Sequence, residues 1–346
     1  MDAAAIGGDS AAHRETTTQL VAARLFAGLI VLVTAEVFSG ASLRAGLWHP
    51  WTLLVTYWLY FAHFFFFTTL AVWTGRTSLA SLYLWGVLYG LYESWITKVI
   101  WSGYDGAGSV ALGRIGPFGY SEISMVFCYH PVASFIVPLA ILSLISPTVR
   151  ALFPSLAWLT GKSRTARAIQ VYLTISFATT MAMNSGGFVN LLLNLAFVSF
   201  LLYAALRLGG PALSEPGRDA VVVFGRRGFV GLCVYLLLLY GLTYRFIRPE
   251  GLPSIPIQLL TFVLYALAIA GLVRHRREAP RTDTSVPVDG RERRIIVALG
   301  AALFGVALCL SVFAGTLALT LATAVHLALW PPLGLVLTLL AVAATK

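Results

Sequence analysis

Apolar runs of roughly twenty residues alternate with short polar connections along almost the whole chain. A helix rises about 1.5 Å per residue, so about 20 apolar residues cross the hydrocarbon core of a bilayer. The runs predict spans at Leu20–Gly40, Trp51–Trp73, Leu79–Trp101, Gly119–Ile145, Ala168–Asn184, Phe188–Leu208, Phe229–Phe246, Ile255–Val273, Ile295–Phe313 and Leu321–Ala344. Pro331 and Pro332 are expected to interrupt the last of these. The fold class that follows is all-α: a polytopic transmembrane helical bundle of about ten spans. The final apolar stretch divides less cleanly, and about nine or eleven spans also fit.

Lys and Arg set the orientation. Arg150, Lys162, Arg164 and Arg167 follow the fourth span, and Arg207, Arg218, Arg226 and Arg227 follow the sixth. Arg274, Arg276, Arg277, Arg281, Arg291, Arg293 and Arg294 follow the eighth. Odd-numbered connections are nearly bare, with Arg245 and Arg248 as the main exception. Positive charge stays inside, so the even connections and both termini are expected in the cytoplasm, with the chain multi-pass in the cell membrane. Residues 1–19 read as a frayed cytoplasmic tail and 20–346 as a single transmembrane domain, with one polar cytoplasmic loop at about 274–294. Trp48, Trp51, Trp73, Trp101 and Trp330 fall near span ends, where an aromatic belt would place them. Leu152–Thr160 reads as a packed loop or a short interfacial segment.

Composition agrees: 58% of residues are hydrophobic and 11% charged, against about 25% charged in a soluble domain. The partner this implies is the lipid bilayer. A net charge of +10 could suggest nucleic acid, but the basic residues sit in loops between apolar runs, so no nucleic acid is expected. Cys128, Cys233 and Cys309 are far apart and inside apolar segments, which predicts neither disulfide nor cysteine metal site. No HExxH, Walker, Rossmann, GxSxG or paired-Asp motif occurs, so no metal and no cofactor is expected.

Ionisable residues at membrane depth are costly and mark candidate functional positions. With the orientation above, Glu36, Glu93 and Glu122 all land in the outer half of the membrane, and His63 and His130 near mid-depth. Gly86, Gly90, Glu93 and Thr97 lie on one helical stripe; the GxxxG lets a neighbouring helix approach closely, holding Glu93 at a packed seam. Glu122, Val126 and His130 share a face if that stretch is α-helical, while Pro131 predicts a kink that frees backbone carbonyls. Glu93, Glu122 and His130 are therefore the candidate catalytic residues. Lys98 stands about 140° round the helix from Glu93 and is expected to snorkel to the outer interface. Glu36, His63, Lys98 and Asn190 are the candidate substrate-contacting residues. Asn190 and Asn194, at i and i+4, also suit interhelical hydrogen bonding.

Two functional classes remain open. In one, the chain is a membrane-embedded enzyme whose buried carboxyl groups give protons to a hydrophobic or lipid-like substrate, with His130 as the base. In the other it is a proton-coupled transporter of a small solute. The intramembrane acids fall in the first, third and fourth spans without counterparts in the second half, which fits one chemical site better than two rocking repeats. A non-catalytic scaffold is the third alternative.

Overall fold

A computed structural model describes residues 4–103, 113–278 and 290–344, with side chains from residue 17 onward save 291–293, 296, 316 and 327. The helices are α1 (Ala4–Leu32), α2 (Tyr57–Thr74), α3 (Leu79–Thr97), α4 (Val99–Ser102), α5 (Tyr120–Ser124), α6 (Val137–Ser143) and α7 (Pro147–Leu152), followed by α8 (Arg164–Asn184), α9 (Phe188–Ser214), α10 (Arg226–Phe246), α11 (Ile255–Arg274), α12 (Gly290–Phe313) and α13 (Thr316–Ala343). A two-residue hairpin pairs β1 (Arg114–Ile115) with β2 (Phe118–Gly119). The all-helical reading holds at that level.

Among the described residues, seven helical stretches are long and apolar enough to cross a membrane: Thr17–Val37, Thr52–Thr74, Tyr120–Ser143, Phe188–Ser214, Asp219–Phe246, Ile255–Arg274 and Leu317–Ala343. Burial sorts them into a core and a rim. In Thr17–Val37, 72% of the apolar window is buried, against 22% in Ile255–Arg274. The rim helices carry exposed Leu, Val and Phe along their length, as a lipid-facing surface requires. α3 lies in the core and is buried along nearly all of its length. That shelter is why it can carry Gly, Tyr, Ser and Glu where a lipid-facing helix would carry Leu.

Several local expectations change. α1 begins at Ala4, so the polar stretch read as a frayed tail is helical from that residue on. Arg281 and residues 279–289 of the polar loop lie outside the described residues. α13 runs unbroken through Pro331 and Pro332. The carbonyl that Pro332 leaves without its usual N–H, on Ala328, accepts from the Tyr120 hydroxyl at 2.9 Å. Trp48, Trp51 and Trp73 are exposed, but Trp101 and Trp330 are buried and so are not belt residues. Their indole N–H groups donate to Thr261 and to the Tyr172 hydroxyl. In the 152–160 segment, Phe153 and Leu156 are fully buried and Trp158 is exposed, around a short 3-10 turn at Pro154–Trp158.

The close helix approach predicted from Gly86 and Gly90 occurs. A Cβ on Gly86 would sit 2.4 Å from Pro131 Cα, and one on Gly90 would sit 3.0 Å from Val126 Cα. The partner is the segment between α5 and α6, which packs against α3 more extensively than any other pair of elements pack together.

Candidate functional site

Two departures from α-helix geometry build the site. Val33–Val37 at the end of α1 is a π-helical turn, and Met125–Ile136 is a π-helical segment joining α5 to α6. The first carries Glu36 and the second carries His130. In a π turn the N–H reaches back five residues, as Phe38 N does to Val33 O at 3.0 Å. The wider turn also accommodates Pro131, whose ring would crowd the Phe127 carbonyl in an α-helix. That carbonyl lies 2.6 Å from the Tyr83 hydroxyl. The kink expected at Pro131 is thus a long π segment.

At the centre, His130 Nε2 lies 3.1 Å from Glu93 Oε2. The other imidazole nitrogen, Nδ1, is 2.9 Å from Ser134 Oγ, which fixes the ring plane. The His130 side chain is 3% exposed and that of Glu93 14%, so Glu93 is the more approachable of the two. Glu36 accepts from the Tyr60 hydroxyl at 2.6 Å and from Ser42 Oγ at 2.5 Å.

Aromatic rings complete this layer. Tyr89, one helical turn before Glu93 on α3, stacks 6.0 Å from His130 and 6.2 Å from Tyr60. His63 on α2 lies 5.5 Å from Tyr89 by ring centroids. Its Nδ1 is 2.7 Å from Leu59 O, while its Nε2 has no hydrogen-bond partner among the described residues, and neither has the Tyr89 hydroxyl. His63 and Tyr89 are both fully buried.

The remaining candidates sit elsewhere. Glu122 is buried and accepts from Ser121 Oγ at 2.7 Å; no hydrogen bond or ion pair among described residues joins it to His130. Lys98 does not snorkel to the protein surface. It is fully buried at the break between α3 and α4, in a left-handed conformation with φ 58°, and its ammonium donates to the carbonyls of Thr243 and Ile247. Those carbonyls end α10, where a cation suits both the unpaired acceptors and the helix dipole. Asn190 gives its amide to Leu43 O and Ser185 O, and Asn194 bonds Leu47 N at 2.7 Å, so the pair fastens the turn after α1 to α9. Sequence reasoning passed over Tyr60, Tyr89 and Ser134; the i, i+4 spacings of Tyr89 to Glu93 and His130 to Ser134 were the available signal.

A cavity of about 550 Å³ lies on a different side of the π segment, lined by Tyr129, Ala133, Ile136, Leu173, Leu333 and Leu337 among others and almost wholly apolar. Tyr129 contributes its ring to this cavity, while its hydroxyl reaches the carbonyls of Thr34 and Ala35 beside Glu36. No group of three or more His, Cys, Asp or Glu side chains able to hold a metal ion occurs among the described residues.

The sequence family described as "Uncharacterized membrane protein family" matches residues 25–345. The chain belongs to that family. It is an integral membrane protein, in keeping with the seven apolar helical stretches. An "Uncharacterized protein" of Archaeoglobus fulgidus is 25% identical over 264 residues, covering 75% of this chain and 80% of the relative. No solved structure matches the chain. The family match spans every residue of the Glu36, Glu93 and His130 layer.

Proposed function

We propose that this membrane protein uses the Glu93–His130 pair for acid–base chemistry on a hydrophobic or lipid-like substrate. The observation that carries this reading is their 3.1 Å contact inside the bundle, beside the unpartnered polar atoms of His63 and Tyr89. A carboxyl and an imidazole in contact share a proton that either can pass on, and a positioned acid or base contributes about 10²–10⁴ in rate. Glu93, the more exposed partner, is the one that meets substrate. The neighbouring apolar cavity suits hydrocarbon and offers water few partners. Glu122, Lys98 and Asn190 take supporting roles at the outer end of the bundle.

The same reading takes the chain as ten spans with both termini in the cytoplasm of the cell membrane. Beside the seven apolar stretches, α3 (19 residues), α8 (21 residues) and the shorter apolar helix Val297–Phe313 supply three more. The Lys and Arg alternation supports the orientation. A second reading, proton-coupled transport of a small solute, is favoured by one observation: two core rods depart from α geometry where they carry Glu36 and His130, as the discontinuous helices of transporters do.

The test compares membranes from cells producing wild type, Glu93→Gln or His130→Gln at equal folded levels, with lipid extracts read by mass spectrometry and proton flux read in proteoliposomes. A lipid species that depends on Glu93 is the expected result. Glu93-dependent proton flux with unchanged lipids selects transport. No change in either, with folded variants, overturns the acid–base role.

A further inference from the structure

We infer that His63 and Tyr89 together form a binding site for a hydroxyl group, next to Glu93. The inference rests on the acid–base reading and names the chemical class of the group presented to it. Both side chains are fully buried. Buried polar atoms in folded proteins are nearly always hydrogen-bonded, so two unpartnered ones on touching rings mark a place where a ligand atom belongs.

Their chemistry selects that atom. His63 Nδ1 faces the Leu59 carbonyl at 2.7 Å, and a carbonyl only accepts, so Nδ1 carries the ring proton. The Nε2 of the neutral ring is then an acceptor and requires a donor. The Tyr89 hydroxyl has a proton to place and requires an acceptor. A carbonyl or carboxylate accepts only and cannot serve His63; an ammonium donates only and leaves the Tyr89 proton unplaced. A hydroxyl oxygen does both at once.

The position makes the site relevant to the pair. Tyr89 and Glu93 are four apart on one face of α3, and the ring of Tyr89 lies 5.5 Å from that of His63 and 6.0 Å from that of His130. A hydroxyl held there lies one helical turn from the group that would take or give its proton. Water and the alcohol of a substrate share this chemistry, and the experiment separates them.

The experiment is solid-state NMR of full-length protein labelled with ¹⁵N-histidine in lipid nanodiscs, the His63 signal being assigned by its loss in His63→Phe. The expected result is a through-space contact between His63 Nε2 and a hydroxyl proton, lost in Tyr89→Phe while the His130 signals stay in place. Dodecanol is the probe for an alcohol. If it replaces the contact with one from its own hydroxyl, the site takes alcohols; if the contact stays and exchanges with water, the site holds water, and both results support a hydroxyl site. The absence of any proton contact at Nε2 overturns the inference, as does a contact that persists in Tyr89→Phe or one from the Tyr89 phenolic proton itself, recognised by its correlation to the ¹³C-labelled tyrosine ring. The acid–base reading is judged separately. Glu93→Gln keeps the NMR contact if the site stands alone, so loss of the contact removes this inference without touching the Glu93-dependent product.

Discussion

Gly86→Ala tests whether the acid–base pair depends on the close approach of α3 to the π segment. The added Cβ would fall 2.4 Å from Pro131 Cα and 3.1 Å from Pro131 O, both backbone atoms that cannot rotate away. Ordinary carbon contacts begin about 1 Å farther out, so one rod must move by about that distance. Overpacking of this kind costs about 1–3 kcal/mol. Gly→Ala in a helix also gains about 1 kcal/mol of propensity, so the comparison needs a control. Gly300 on α12 provides it, because a Cβ there meets nothing within 4 Å. Gly86→Ala should be about 1–3 kcal/mol less stable than Gly300→Ala, read by thermal unfolding in nanodiscs through tryptophan fluorescence. Function should suffer more than stability. Pro131 follows His130 directly, so a 1 Å shift takes the 3.1 Å Glu93–His130 contact beyond hydrogen-bond range, and a misplacement of about 1 Å can cost about 10²-fold in rate. Equal stability of the two variants, with the Glu93-dependent product retained, would refute the reasoning.

Three further outcomes follow from named contacts. Lys98→Met removes the cation that caps α10 and should cost about 1.5–3 kcal/mol; hydrogen exchange at the end of α10 unchanged from wild type would contradict this. Asn194→Ala leaves the buried Leu47 N–H without its acceptor and should cost about 1–3 kcal/mol, with Trp48 fluorescence reporting a loosened turn after α1. Leu337→Trp, a half-buried position on the apolar cavity, should exclude a diazirine-tagged lipid chain from cross-linking to the Val132–Val137 stretch, and undiminished labelling would mean that no chain enters there.

Much of the candidate site was legible as residue types on a helical stripe. Gly86, Gly90 and Glu93 recur at helical spacing, and a glycine pair beside a carboxyl announces a seam that another rod must enter. The seam was readable; its occupant was not, because nothing local to α3 says that Pro131 is the residue it meets. His130 and Glu122 show the opposite failure. Their spacing suits one α-helical face, but the chain takes π turns through Met125–Ile136, and the His130 imidazole meets Glu93 on α3. Lys98 was misread for a related reason. Snorkelling is the cheap solution for a lysine near a helix end, but here the carbonyls of Thr243 and Ile247, about 150 residues away in sequence, offer a buried alternative.

The sequence by itself determined that this chain lives in a bilayer, that it is helical, and which side chains are too polar to face lipid. Those are consequences of the solvent, and hydrophobic runs of membrane-spanning length record the solvent directly. Only the tertiary structure decided which polar groups meet. Glu36, His63, Glu93 and His130 come from four separate rods, and their distances depend on close approaches between backbones and on local changes of helical pitch. Hydropathy carries no term for either, so the pairing of acid with base becomes visible only once the rods are packed.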